Sequence, residues 1–130
     1  MIARVKEIRT KDSLNIVEFD FNNITLKMMS LELNKDITIG KKVELVVKPT
    51  NIIISKNFIE DISLSNQTLA KIVDINCGEL LCSITLELNN TIFESIITKD
   101  SFIRLNLKID DKVYILIKAS DLSILKVLND

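Results

Sequence analysis

Thr98 and Ser101, in the tetrapeptide TKDS, place two hydroxyls three residues apart where strand-like alternation gives way to a short helical pattern. A helix start presents unpaired backbone N–H groups and a partial positive charge, which suits an anion. Further along, KAS at Lys118 to Ser120 adds an ammonium group, a hydroxyl and a turn that exposes amides. Thr98, Lys99, Ser101, Lys118, Ala119 and Ser120 therefore form a candidate set, on the premise that a strand ending at Lys118 lies beside the turn at Thr98. The groups invoked, hydroxyl, ammonium and amide, are donors. A donor-only pocket suits a fully deprotonated tetrahedral dianion and disfavours monohydrogen phosphate, whose proton needs an acceptor. The same residues also have ordinary structural uses. Thr98 can be a plain helix cap, Ser101 a solvated first-turn residue, and Lys118 a guard against edge-to-edge strand pairing.

The elements that must position these groups read as strands. Alternation rich in β-branched residues runs over Ile2 to Arg9, Leu14 to Phe21, Ile24 to Met29 and Val43 to Lys48. It returns over Ile72 to Asn76, Leu80 to Leu88, Thr91 to Ile97 and Val113 to Lys118. Asn22-Asn23 and Asn89-Asn90 sit between neighbouring runs, where a tight hairpin wants residues tolerant of positive φ. The segment Thr98 to Leu107 reads as the one short helix that breaks the β pattern, capped by Thr98.

Two such sets of four imply an internal repeat. ARVKEI from Ala3 lies over AKIVDI from Ala70, and the same displacement carries Asn22-Asn23 onto Asn89-Asn90. KVELVVKPTNIII from Lys42 lies over KVYILIKASDLSI from Lys112, a displacement three residues longer, so the second copy holds a three-residue insertion after its third strand. Lys48 falls on Lys118 and Thr50 on Ser120, which makes Lys48 and Thr50 the first copy's candidates. In the first copy Met29-Ser30-Leu31-Glu32-Leu33 stands where the second has Ile97-Thr98-Lys99-Asp100-Ser101, keeping one hydroxyl, that of Ser30. Pro49 replaces Ala119 and removes a backbone donor, so the first-copy site is expected to be weaker or absent. Residues 1–58 and 59–130 form the two expected units, with Asn57 to Gln67 an ordered connector. Short strands and a short helix per copy predict an all-β chain of two tandem OB-like barrels.

Composition narrows the function. The 130 residues contain no histidine, which removes the commonest general base and the commonest transition-metal ligand. Without it, a nucleophile with a base beside it needs lysine or carboxylate, and the chain is not expected to be an enzyme or to carry a catalytic cofactor or metal. Net charge is −1 with both signs mixed, and the aromatics are five Phe and one Tyr, so neither a phosphate-backbone footprint nor a base-stacking face is present. No apolar run reaches membrane-spanning length and the start is no signal sequence, so a cytoplasmic chain without membrane or nucleic-acid partners is expected. Hydrophobic residues make up 47%, more than two small units can hide, which predicts a homo-oligomer, a dimer, trimer or higher. Cys77 and Cys82, in CGELLC, lack a second pair for zinc and are expected to be packed or turn-side thiols.

The block ITKDSFIRLNLKIDDKVYILIKASDLSI, Ile97 to Ile124, closely resembles the Mop, or TOBE, domain of molbindins, whose typical ending runs ITKxSxxxLxLKxGDxVxxxIKASDVII. The whole chain then resembles a tandem di-Mop protein, with the second copy matching well and the first weakly. The resemblance implies OB-like barrels that bind molybdate or tungstate at interfaces between Mop units, in storage, buffering, homeostasis or sensing. Size would separate these anions from sulfate. It implies Thr98, Ser101, Lys118, Ala119 and Ser120 as the second copy's binding set. The family often has a Ser-Ala-Arg-Asn stretch before the first strand; Leu64, Ser65, Asn66 and Gln67 stand here, leaving Ser65 and Asn66 as candidates and the arginine contact missing or replaced. An alternative is a regulatory or transporter-accessory module that senses the anion for a partner protein. No P-loop stands in the sequence, and the strand pattern begins at Ile2, where related regulators carry a helix-turn-helix.

Overall fold

The computed structural model describes Met1–Asn129. Its elements are β1 (Ile2–Lys11), β2 (Leu14–Phe21), β3 (Ile24–Ser30), β4 (Lys42–Val46), β5 (Ile53–Ser55), β6 (Asn66–Cys77), β7 (Leu81–Leu88), β8 (Thr91–Thr98), α1 (Lys99–Leu105), β9 (Lys112–Ile117) and β10 (Ser123–Val127). Two 3-10 turns, Pro49–Asn51 and Ala119–Asp121, precede β5 and β10. The strands form two five-stranded sheets, ordered β10-β4-β1-β2-β3 and β5-β9-β6-β7-β8. The fold is thus the expected all-β pair of OB-like units, except that the α-helix expected in each copy forms among the described residues only in the second, after β8; the short strands β5 and β10 are additions to the eight runs read from periodicity.

The repeat is written into the register. β1 bulges between Val5 and Glu7 against β2, and β6 bulges at the corresponding place, between Ile72 and Asp74, against β7. Both asparagine pairs take positive φ, 48° and 71° at Asn22-Asn23 and 50° and 63° at Asn89-Asn90, the conformation a two-residue hairpin needs. β2 and β7 alternate buried and accessible positions in step, sending Val17, Phe19 and Phe21 inward in one and Ile84, Leu86 and Leu88 in the other. Burying such a side chain stabilises the fold by roughly 1.5–3 kcal/mol, and their inward spacing of two fixes which face is core.

The last strand of each repeat is exchanged. β10, from the end of the chain, pairs antiparallel with β4, while β5, from the middle, pairs with β9. The compact units are therefore Met1–Val47 with Lys118–Asp130, and Lys48–Ile117. The sequence repeats 1–58 and 59–130 are each distributed over both units. The connector after β5 is anchored by Gln67, whose side-chain amide donates to the Ile59 carbonyl (2.9 Å) and accepts from the Ile59 N–H (2.8 Å), as a neighbouring strand would.

Cys77 and Cys82 are not thiols: they form a disulfide across the β6–β7 hairpin. They are direct cross-strand partners with Cα atoms 4.0 Å apart, the close spacing of a non-hydrogen-bonded antiparallel pair, and the Gly78 N–H to Leu81 carbonyl bond (2.8 Å) closes the turn beyond them. Sequence spacing alone carries no such register.

Candidate functional site

Thr98 ends β8 in extended conformation and caps α1. Its Oγ1 accepts from the Ser101 N–H (3.2 Å) and donates to Ser101 Oγ (3.0 Å). Arg104 Nη2 also reaches Ser101 Oγ, at 3.4 Å. Ser101 Oγ accepts from both neighbours, so its own proton is the hydroxyl hydrogen left for a ligand. Asp100 in the first turn and Arg104 in the last suit the helix dipole, and Asn106 ends the helix with φ 51°. The helix start offers fewer amides than its sequence suggests. The Lys99 N–H donates to the Leu80 carbonyl (2.9 Å) of the disulfide-closed hairpin, and the Ser101 N–H is held by Thr98.

Lys48 and Lys118 take the same conformation, φ −66° with ψ 136° and φ −68° with ψ 139°, each opening a 3-10 turn closed by a 2.9 Å bond to its own carbonyl, from the Asn51 and Asp121 N–H respectively. Lys48, Thr50, Lys118 and Ser120 are exposed, and Ala119 is half-buried. Both lysines therefore present their ammonium groups on strand-to-turn corners of identical shape, one per unit.

The exchange of strands decides which candidates share a unit. Thr98, Lys99 and Ser101 belong with Lys48, Thr50, Ser65 and Asn66, in the unit Lys48–Ile117. Lys118, Ala119 and Ser120 belong with Ser30 in the other. TKDS and KAS of the second repeat thus belong to different units: the turn Pro49–Asn51 packs on β8, and the turn Ala119–Asp121 packs on β3. Ser30 and Ser120 line one cleft of about 500 Å³ with Met28, Leu31, Asn34 and Leu125. Asn66 is buried at the start of β6, opposite Ile117, and Ser65 is exposed beside it.

Register also corrects the comparison of the two copies by one residue. Ser30 lies opposite Asn15 as Ile97 lies opposite Cys82, so the counterpart of Thr98 is Leu31, which is exposed and has no hydroxyl. The Ser30 hydroxyl donates to the Glu32 carbonyl and accepts from the Glu32 N–H, and Asn34 Oδ1 accepts from the Asp36 N–H (2.9 Å). Local bonds of this kind compete with helix formation, and no helix follows β3.

Periodicity did not single out Ser95. It is fully buried in β8 and donates from Oγ to the Ile52 carbonyl at 2.7 Å. The signal available was a serine at an inward position whose repeat counterpart is an apolar residue, Met28.

Residues 62–124 match the TOBE domain model. A solved molybdate-binding protein from Sporomusa ovata is similar at 33% identity, covering 52% of this chain and all of that one, with a TM-score of 0.50. A cytoplasmic molybdate-binding protein, ModG, solved with molybdate bound, is similar at 22% identity, covering 95% of this chain and 92% of that one, with a TM-score of 0.88. The second likeness shows that the two-unit fold extends over nearly the whole chain. No curated protein matches the chain in sequence.

Proposed function

Because the chain belongs to the TOBE-domain family of molbindins, we propose that it binds molybdate or tungstate as a cytoplasmic storage, buffering or homeostasis protein and not as an enzyme. The observation that carries this is the 33% identity over the full length of the Sporomusa ovata molybdate-binding protein. It falls on a chain whose candidate groups are donors.

The chemistry of the residues supports the reading. In the unit Lys48–Ile117 the ammonium of Lys48 and the hydroxyls of Thr50 and Ser101 supply positive charge and O–H donors, and Thr98, whose own proton goes to Ser101 Oγ, orients the Ser101 hydroxyl. Molybdate and tungstate are fully ionised near neutral pH and need only donors, whereas monohydrogen phosphate brings a proton for which these groups offer no carboxylate, only the weaker acceptance of a hydroxyl oxygen. In the unit that holds Lys118, Ala119, Ser120 and Ser30 the ammonium and two hydroxyls recur, but Ser30 is engaged by Glu32 and Leu31 replaces the threonine. That unit is the weaker binder. Ser65 and Asn66 stand in place of the family's Ser-Ala-Arg-Asn stretch and contribute hydroxyl and amide donors without the arginine. Exposed Ile2, Leu31, Leu80, Ile92 and Leu125 supply apolar surface for a homo-oligomer.

Calorimetric titration of the purified chain with molybdate, tungstate, sulfate and phosphate tests the proposal, with native mass spectrometry giving the stoichiometry. Binding of the first two and neglect of the last two is expected. Equal binding of all four, or of none, would contradict it.

A further inference from the structure

We infer that Ser95 is a positioning residue for the anion site proposed above, setting where Lys48 and Thr50 stand relative to the strand that ends in Thr98. The inference rests on that proposal and adds a residue the family pattern does not supply.

Ser95 is one of three buried polar residues among those described, and it is fully buried. Its Oγ donates to the Ile52 carbonyl at 2.7 Å. Ile52 is the residue at which the 3-10 turn Pro49–Asn51 ends, and that turn packs on β8. The turn is otherwise held to itself by the Asn51 N–H to Lys48 carbonyl bond at 2.9 Å and a longer 3.4 Å bond from the Ile52 N–H to the Pro49 carbonyl. One side-chain hydroxyl thus ties the segment carrying two candidate donors to the strand carrying a third.

Geometry separates this role from contact with a ligand. Ser95 lies three residues before Thr98, about 10 Å along an extended strand, and has no exposed surface, so it reaches the anion only through what it holds. The bond is costly to leave unmade, because moving the turn away strands both a hydroxyl and a carbonyl in the core. The matching turn in the other unit, Ala119–Asp121, packs on β3, where the corresponding position is Met28 and no such bond forms. The tie is therefore a property of the unit that also holds Thr98 and Ser101.

The test uses the full chain and three variants, Ser95→Ala, Ser95→Thr and Ser95→Val, titrated with tungstate and examined for amide hydrogen exchange at Asn51 and Ile52. Threonine and valine share a shape, so any overpacking affects both and their difference reads the hydroxyl alone. Expected is an affinity about tenfold lower in Ser95→Ala, lower in Ser95→Val than in Ser95→Thr, with faster exchange at Asn51 and Ile52 wherever affinity falls. Parent-like affinity in Ser95→Ala, equal affinity in the threonine and valine variants, or an affinity loss without faster exchange would overturn the inference. A parent chain that takes up no tungstate would remove the proposed function and this inference with it, a result distinct from any of those three.

Discussion

β3 and β8 leave their sheets from matching positions and lead into different chemistry. After β8, Thr98 caps a seven-residue helix and bonds Ser101, Ser95 holds the turn Pro49–Asn51, and the neighbouring hairpin is closed by the Cys77–Cys82 disulfide. After β3, Leu31 occupies the threonine position, no helix forms, Met28 replaces Ser95, and the hairpin is closed by a hydrogen bond from Thr10 to Asn15 at 2.7 Å. Thr10 and Asn15 are the direct counterparts of the cysteines, opposite each other in the same register. Duplication has kept the frame, its bulges and its turns. What differs lies toward the strand ends and the segments beside them, where the disulfide, the capped helix and the Ser95 bond all fall in the unit Lys48–Ile117.

The largest expected effect removes the hydroxyl pair. Thr98→Ala combined with Ser101→Ala should weaken tungstate binding by roughly 3 kcal/mol or about a hundredfold, since it removes the Ser101 hydrogen bond to a charged ligand, about 1.5–3 kcal/mol, together with the Thr98 cap that positions it, about 1 kcal/mol, as read by calorimetry. Removing the disulfide comes next. Cys77→Ser with Cys82→Ala should lower stability in urea by about 2 kcal/mol, the loop-entropy value for so short a ring. Thr10→Val in the other hairpin should cost about 1 kcal/mol, because it deletes the hydrogen bond to Asn15 Oδ1 and leaves Asn15 only its Nδ2 bond to the Ser30 carbonyl (3.3 Å). The smallest effect is a graft. Leu31→Thr with Asn34→Ser should change tungstate affinity by less than about threefold, since neither helix nor Ser95-like tie accompanies the hydroxyls; a strong new site would mean that hydroxyl placement alone suffices.

Much of this architecture was legible in the sequence because it is periodic. Alternation located β2 to the residue, and Asn22-Asn23 and Asn89-Asn90 announced their turns because few other residues accept positive φ in tandem. Thr98 as a helix cap was legible from residue type. Strand exchange was not, because β5 and β10 are short and their sequences fit either neighbour equally well. The copies match each other over KVELVVKPTNIII and KVYILIKASDLSI, so similarity cannot say which copy a strand pairs with. That ambiguity hides from the sequence that Lys48 shares a unit with Thr98 and that Lys118 belongs to the other. The disulfide and the Ser95 bond escaped for a related reason: both depend on register across strands, which local pattern does not specify.

The most direct test is a double-mutant cycle on tungstate affinity, pairing Thr98→Ala once with Lys48→Ala and once with Lys118→Ala. A site assembled from both repeats predicts that the Thr98 and Lys48 changes are non-additive, with a coupling of about 1 kcal/mol or more, and that the Thr98 and Lys118 changes simply add. Coupling of Thr98 to Lys118 with additivity toward Lys48 would contradict the account and return the site to a single repeat.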